Sequence, residues 1–169
     1  MAGAYASLRC GAGGLDSGRM FVEREIVLPV PLEEAWTVLM DWERQAAWML
    51  DADSVTVVSE QRGGVGVRLE VRTRIFGIPA FTEPMEVIGW DPPRRLVIRH
   101  GSLVSGTGTW ALDPIEGGTM FTWREEIALA VPVLGELAAT MYRPVMRALM
   151  GRAMQGLRRY LIATGPVRS

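Results

Sequence analysis

Four polar residues stand in registers that their neighbours fill with apolar side chains. Glu125 lies between Trp123 and Ile127, Glu83 between Phe81 and Met85, His100 follows Leu96 and Ile98, and Thr73 follows Leu69 and Val71. Alternate residues of a strand share a face, so all four are expected among oily neighbours. Burying a carboxylate there costs several kcal/mol unless it is paired or protonated. A carboxylate with a raised pKa beside an imidazole can pass a proton, as aldol cyclisation and dehydration require. Glu125, His100 and Glu83 are therefore the catalytic candidates, and Thr73 is a candidate for orienting a ligand. A purely structural reading stands beside this one. A bulge would shift the register and turn any of these residues outward. Glu125 and Arg124 would then join the surface charges, and His100 would cap a strand end.

Other chemistries lack their residues. Nucleophile-elbow and phosphate-loop motifs are absent, and with a single His no Ser/His/Asp set beyond His100 is available. Gly63-Gly64 and Gly117-Gly118 read as hairpin turns. One cysteine, Cys10, sits in a Gly-rich stretch without metal-ligand spacing, so neither an internal disulfide nor a metal is expected. No cofactor is expected either. A formal net charge of −1 over 169 residues gives no field that favours nucleic acid. No apolar run has the roughly 20 residues that span a bilayer. A reducing cytoplasm is the simplest compartment. Residues 1–19 read as a mobile tail, 20–163 as one domain and 164–169 as a second tail, with Met20 a possible native start.

The elements that must position these groups follow from periodicity. Residues 21–30 read as a first strand stopped by Pro29 and Pro31. Leu32, Ala35, Trp36 and Leu39 recur at helical spacing, so 31–40 is a short helix with proline in its first turn. Asp41 is placed as the N-cap of a second short helix, 42–50. Strands are expected at 54–61, 65–75, 80–90 and 95–103. Two more flank the turn residues Asp113, Pro114, Gly117 and Gly118. From Pro132 onward the pattern is helical, with two apolar stripes. Leu134, Leu137, Ala138, Met141 and Val145 form one; Met146, Met150, Met154, Leu157 and Leu161 form the other. Pro144 lies at their junction, which predicts a kinked helix or two helices meeting. Seven strands with short links predict an α+β fold with an antiparallel meander.

Several local signatures resemble those of the START-like superfamily, also called SRPBCC. They are PLEEAW at 31–36, DWERQAAW at 41–48, VIGWDPPRRLV at 87–97 and GGTMFTWREE at 117–126. The resemblance spans roughly Met20 to Ala163 and includes the polyketide cyclase/dehydratase and lipid-transport members. It implies a helix-grip fold: a curved seven-stranded antiparallel sheet around a long kinked C-terminal helix, two short helices after the first strand, and a cavity between sheet and helix. On that expectation Leu69, Val71, Thr73, Met85, Ile98, Trp110, Phe121 and Trp123 line the cavity. Met141, Val145 and Leu149, with Arg152, close its roof. Three functions remain open. The first is binding or transport of a small hydrophobic ligand such as a lipid, isoprenoid or aromatic polyketide. The second is a cyclase or dehydratase that moves protons with Glu125, Glu83 or His100. The third is a module that presents its sheet or helix to a protein partner.

Overall fold

The computed structural model describes residues 19–50, 52–75, 78–101, 104–129 and 135–165. Strand β1 (Arg19–Leu28) leads to helix α1 (Leu32–Leu39) and a 3-10 segment (Trp42–Ala47). Six strands follow: β2 (Ala52–Val57), β3 (Arg68–Ile75), β4 (Ile78–Asp91), β5 (Arg95–Gly101), β6 (Val104–Ile115) and β7 (Gly118–Leu129). Helix α2 (Gly135–Thr164) completes the fold and runs unbroken through Pro144. The sheet order is β1-β7-β6-β5-β4-β3-β2, antiparallel throughout. Strands β2 to β7 form the expected meander, and β1 closes against its last strand. The sheet curls, and with α2 it makes an α+β helix grip.

Several boundaries differ from expectation. Val65 precedes β3 and is 60% exposed, because Gly64 and Gly66 adopt positive φ and hold 64–66 in a turn. The second short helix is a 3-10 segment, and Asp41 makes no side-chain cap bond; its carboxylate meets Arg44 at 3.4 Å instead. Asp113 and Pro114 belong to β6, which leaves the β6–β7 reversal to Glu116 and Gly117, the latter at φ 80°. Residues 1–18 of the expected N-terminal tail, with Cys10, and Leu134 and the side chains of Leu137, Ala138 and Met141 lie outside the described residues.

One end of the sheet is plugged. Ala35 and Leu39 of α1 and Trp42 and Trp48 around the 3-10 segment are buried against Leu28, Val87, Leu96, Leu112 and Phe121. Trp36 and Trp42 pack on Trp90 at 5.2 and 6.5 Å between ring centroids. Two polar side chains of the plug are satisfied by nearby main chain. The Trp42 indole donates to the Arg62 carbonyl at 2.9 Å, and the buried Gln45 amide donates to the Leu39 carbonyl at 2.7 Å. The Trp48 indole N–H is buried without a partner among the described residues.

Helix α2 lies along β1 and β7. Its second apolar stripe does the holding: Met150, Met154, Leu157 and Leu161 are buried, joined by Ala153. Each such large side chain contributes about 1.5–3 kcal/mol through burial. Val145, expected in the roof, is 49% exposed, and Arg152 is exposed as well; Leu149 is half-buried. The buried stripe is rotated away from Val145 by the offset between the two apolar stripes, so Met146 takes the inward position at that turn.

Helix and plug meet at Gly156, where a Cβ would stand 2.2 Å from the Trp48 carbonyl oxygen. Helix propensity alone favours alanine over glycine by about 1 kcal/mol. Gly156→Ala is nevertheless expected to destabilise the protein by about 1–2 kcal/mol, because backbone must move to admit the methyl group. Exposed Gln155→Ala should change stability by less than about 0.5 kcal/mol. Urea unfolding midpoints of the two variants check the pair.

Candidate functional site

The pairing registers put the apolar sides of the strands on one face. On β7 these are Phe121, Trp123 and Ile127; they lie opposite Leu112, Trp110 and Gly106 of β6. Ile98 and His100 of β5 lie opposite Gly108 and Gly106, and Met85 of β4 lies opposite His100. Leu69 and Val71 of β3 pair with Met85 and Glu83. Leu69, Val71, Ile98, Trp110 and Phe121 are buried, whereas Met85, Trp123 and Thr73 are half-buried.

Three of the four polar residues on this face come together. His100 Nδ1 is 3.1 Å from Glu83 Oε1, and His100 Nε2 is 3.1 Å from Glu125 Oε2. The Trp123 indole donates to the second oxygen, Glu125 Oε1, at 2.6 Å. Side-chain exposure is 10% for His100, 9% for Glu83 and 4% for Glu125. Thr73 stands apart, opposite Phe81 on β4 and Ala52 on β2. Arg124 turns to the outer face and pairs with Glu23 of β1, so it takes no part in holding Glu125.

The contact between His100 and Glu125 spans a strand. His100 is on β5, Glu125 on β7, and β6 runs between them. Neighbouring strands are about 4.8 Å apart, so the two side chains must lean toward each other over β6. They can do so because the residues of β6 beneath them are Gly106 and Gly108. A Cβ on Gly108 would stand 2.8 Å from Glu125 Oε1. Gly106 has φ 137° and no room for a side chain against the Glu126 carbonyl. A search for functional groups passes over both glycines, since neither carries one. Their signal is the GTG spacing, which places two missing side chains on one face of a strand.

Both ring nitrogens of His100 face carboxylate oxygens, an arrangement that favours the doubly protonated imidazolium. Burial is the largest single influence on its pKa and pushes it down. Hydrogen bonds to Glu125 and Glu83, with the charge of both carboxylates, more than reverse this and raise it from 6.5 to about 10. Because the two ring nitrogens point to opposite sides, the imidazole and the two carboxylates do not converge on a common point. Among the described residues no group of His, Cys, Asp and Glu is arranged to hold a metal ion.

The aromatic wall continues from the cluster toward the plug. Trp123 and Trp110 meet edge to face at 5.5 Å, Trp110 meets Phe121 at 5.8 Å, and Trp48 meets Trp110 at 6.2 Å. The plugged end of the concave face is thereby filled. A surface depression of about 510 Å³ lies elsewhere, lined by Pro29, Val30, Leu32, Arg94, Pro114 and Ile115, and shares no residue with the cluster.

A curled antiparallel sheet gripping a C-terminal helix, with its inner wall aromatic and its few polar groups gathered on it, defines a START-like protein. Residues 20–161 match the family described as polyketide cyclase / dehydrase and lipid transport, and the chain belongs to that family. No curated protein sequence matches it. Solved structures show the same fold at low identity. TTHA0849 from Thermus thermophilus is 20% identical with a TM-score of 0.70, covering 87% of this chain and 99% of its own. The Zhui aromatase/cyclase from Streptomyces sp. R1128 is 16% identical with a TM-score of 0.66, covering 86% and 93%. A START superfamily protein from Mycobacterium smegmatis is 14% identical with a TM-score of 0.62, covering 83% and 93%.

The cluster has a spectroscopic signature. His100 is the only histidine, so its ring signals need no assignment. They are expected to stay in the protonated position through neutral pH and to titrate near pH 10. Glu125→Gln and Gly108→Ala should each lower that midpoint, the first by removing a charge and the second by displacing the carboxylate. Linkage sets the sign for stability. The folded pKa lies above the unfolded value, so the cluster's contribution is complete below about pH 6.5 and is lost as pH rises toward about 10. An NMR pH titration, with unfolding midpoints taken across the same range, tests both statements.

Proposed function

We propose that the protein binds a small, largely hydrophobic molecule between the concave face of the sheet and helix α2. The observation that carries this reading is a buried Glu83–His100–Glu125 cluster on an otherwise apolar and aromatic wall. Small-molecule sites have this composition: broad apolar lining and a few convergent polar groups that fix orientation. Trp123 contributes twice, offering a ring face to flat ligands and its N–H to Glu125. The site sits at the His100 end, since Trp48, Trp110 and Phe121 fill the other. Leu69, Val71, Met85 and Ile98 form the sheet side, and Met146 and Leu149 the helix side.

A cyclase or dehydratase is the second reading. The buried carboxylates and the family's description favour it. The charge state of His100 weighs against it. A general base works best with a pKa near the working pH, whereas His100 is pushed up to about 10 and already donates both protons. Proton transfer would then fall to Glu83 or Glu125 alone.

Mass spectrometry of the protein purified without detergent or organic solvent is expected to show a copurifying apolar molecule of defined mass. Trp123→Ala should lose it while keeping the fold by circular dichroism. A polyketide-like β-hydroxy ketone separates the two readings. A carrier returns it unchanged, whereas a dehydratase releases water and forms a product, and Glu83→Gln or Glu125→Gln would abolish turnover without abolishing binding.

A further inference from the structure

We infer that the Glu83–His100–Glu125 cluster offers a ligand only hydrogen-bond acceptors, so that it selects apolar molecules carrying a hydroxyl or amino donor and disfavours their ethers and carboxylates. The inference rests on the ligand-binding reading above and adds the chemical class of the ligand's polar end.

An inventory of the cluster's protons leads there. Neither ring nitrogen of His100 has a lone pair to offer, and both N–H groups are directed at carboxylates 3.1 Å away. The Trp123 N–H is taken up by Glu125 Oε1 at 2.6 Å. Three donors are thus committed within the cluster. Each carboxylate oxygen has two acceptor sites, so two carboxylates provide more lone pairs than these three bonds use. What remains for a newcomer is negative oxygen. The two carboxylates and one imidazolium sum to −1, which adds repulsion against an anionic ligand. Arg24 of β1 lies opposite Trp123 with its guanidinium against Gly151 of α2, and among the described residues it forms no ion pair with the cluster. Residual side-chain exposure is 9% at Glu83 and 10% at His100, so the cluster is not fully sealed.

Geometry keeps the donors committed. Gly108 lets Glu125 lie over β6, and a methyl group there would crowd its carboxylate. Glu83 is fixed on β4 by its place opposite Val71. His100 cannot turn to free one N–H without leaving a buried carboxylate uncompensated, which the low-dielectric wall penalises.

The test uses one aromatic body with different polar ends. Binding of 1-naphthol, 1-naphthylamine, 1-methoxynaphthalene and 1-naphthoate is measured on the full chain at neutral pH by calorimetry and by quenching of tryptophan fluorescence. The naphthol is expected to bind at least about tenfold more tightly than its methyl ether, in the range of one hydrogen bond to a charged acceptor. The amine should also exceed the ether, and the carboxylate should bind most weakly. Glu83→Gln, which replaces one acceptor oxygen by an NH2 donor, should narrow the naphthol-to-ether ratio toward one. Equal affinities for naphthol and ether, or a preference for the carboxylate, would overturn the inference and leave the ligand-binding reading standing. Absence of binding by all four probes would remove the ligand-binding reading itself, and the inference with it.

Discussion

An imidazole held between two carboxylates is the arrangement on which the inner wall depends. Each of the three groups would be expensive to bury alone. Together they supply one another with the partners that water would otherwise provide. The arrangement also dictates the strand beneath it. A side chain at Gly108 would crowd the Glu125 carboxylate where it reaches toward His100, and Gly106 is required by its positive φ and its closeness to the Glu126 carbonyl. That requirement costs β6 some of its own packing there. The neighbouring inward residues, Trp110 and Leu112, carry the burial instead.

Division of labour along the sheet follows. At one end, two short helical segments and four tryptophans make a solid plug, and α2 docks on it through a glycine too close to the Trp48 backbone for any side chain. At the other end the polar groups Glu83, His100 and Glu125 appear among buried Leu69, Val71 and Ile98 and half-buried Met85 and Trp123. Size explains the need for the plug. A sheet of seven curled strands is too broad for one helix to cover alone, and at the plugged end bulky side chains complete the packing.

Much of this is legible in the chain. Alternation places Glu83, His100 and Glu125 on the apolar face, and the meander follows from the short links and turn residues. What periodicity does not supply is their meeting. Each residue is assigned to a face of its own strand, and the distance between β5 and β7 argues against contact until the glycines of β6 are taken into account. Boundaries slip where backbone conformation rather than side-chain pattern decides. Val65 continues the alternation of β3 in the sequence, yet the positive φ of Gly64 and Gly66 withholds it from the strand. Val145 illustrates a third kind of difference. Two apolar stripes on one helix can both look buried, and only the docked position of the helix reveals which one faces the sheet.

Helix α2 is anchored unevenly. From Met150 to Leu161 it owes its position to buried side chains, whereas across residues 143–149 only Met146 and Leu149 are even half-covered, and Pro144 withholds one main-chain hydrogen bond. Local unfolding is cheapest where apolar contacts are few. The turns around Pro144 can therefore fray while the plug and the docked half of the helix stay intact.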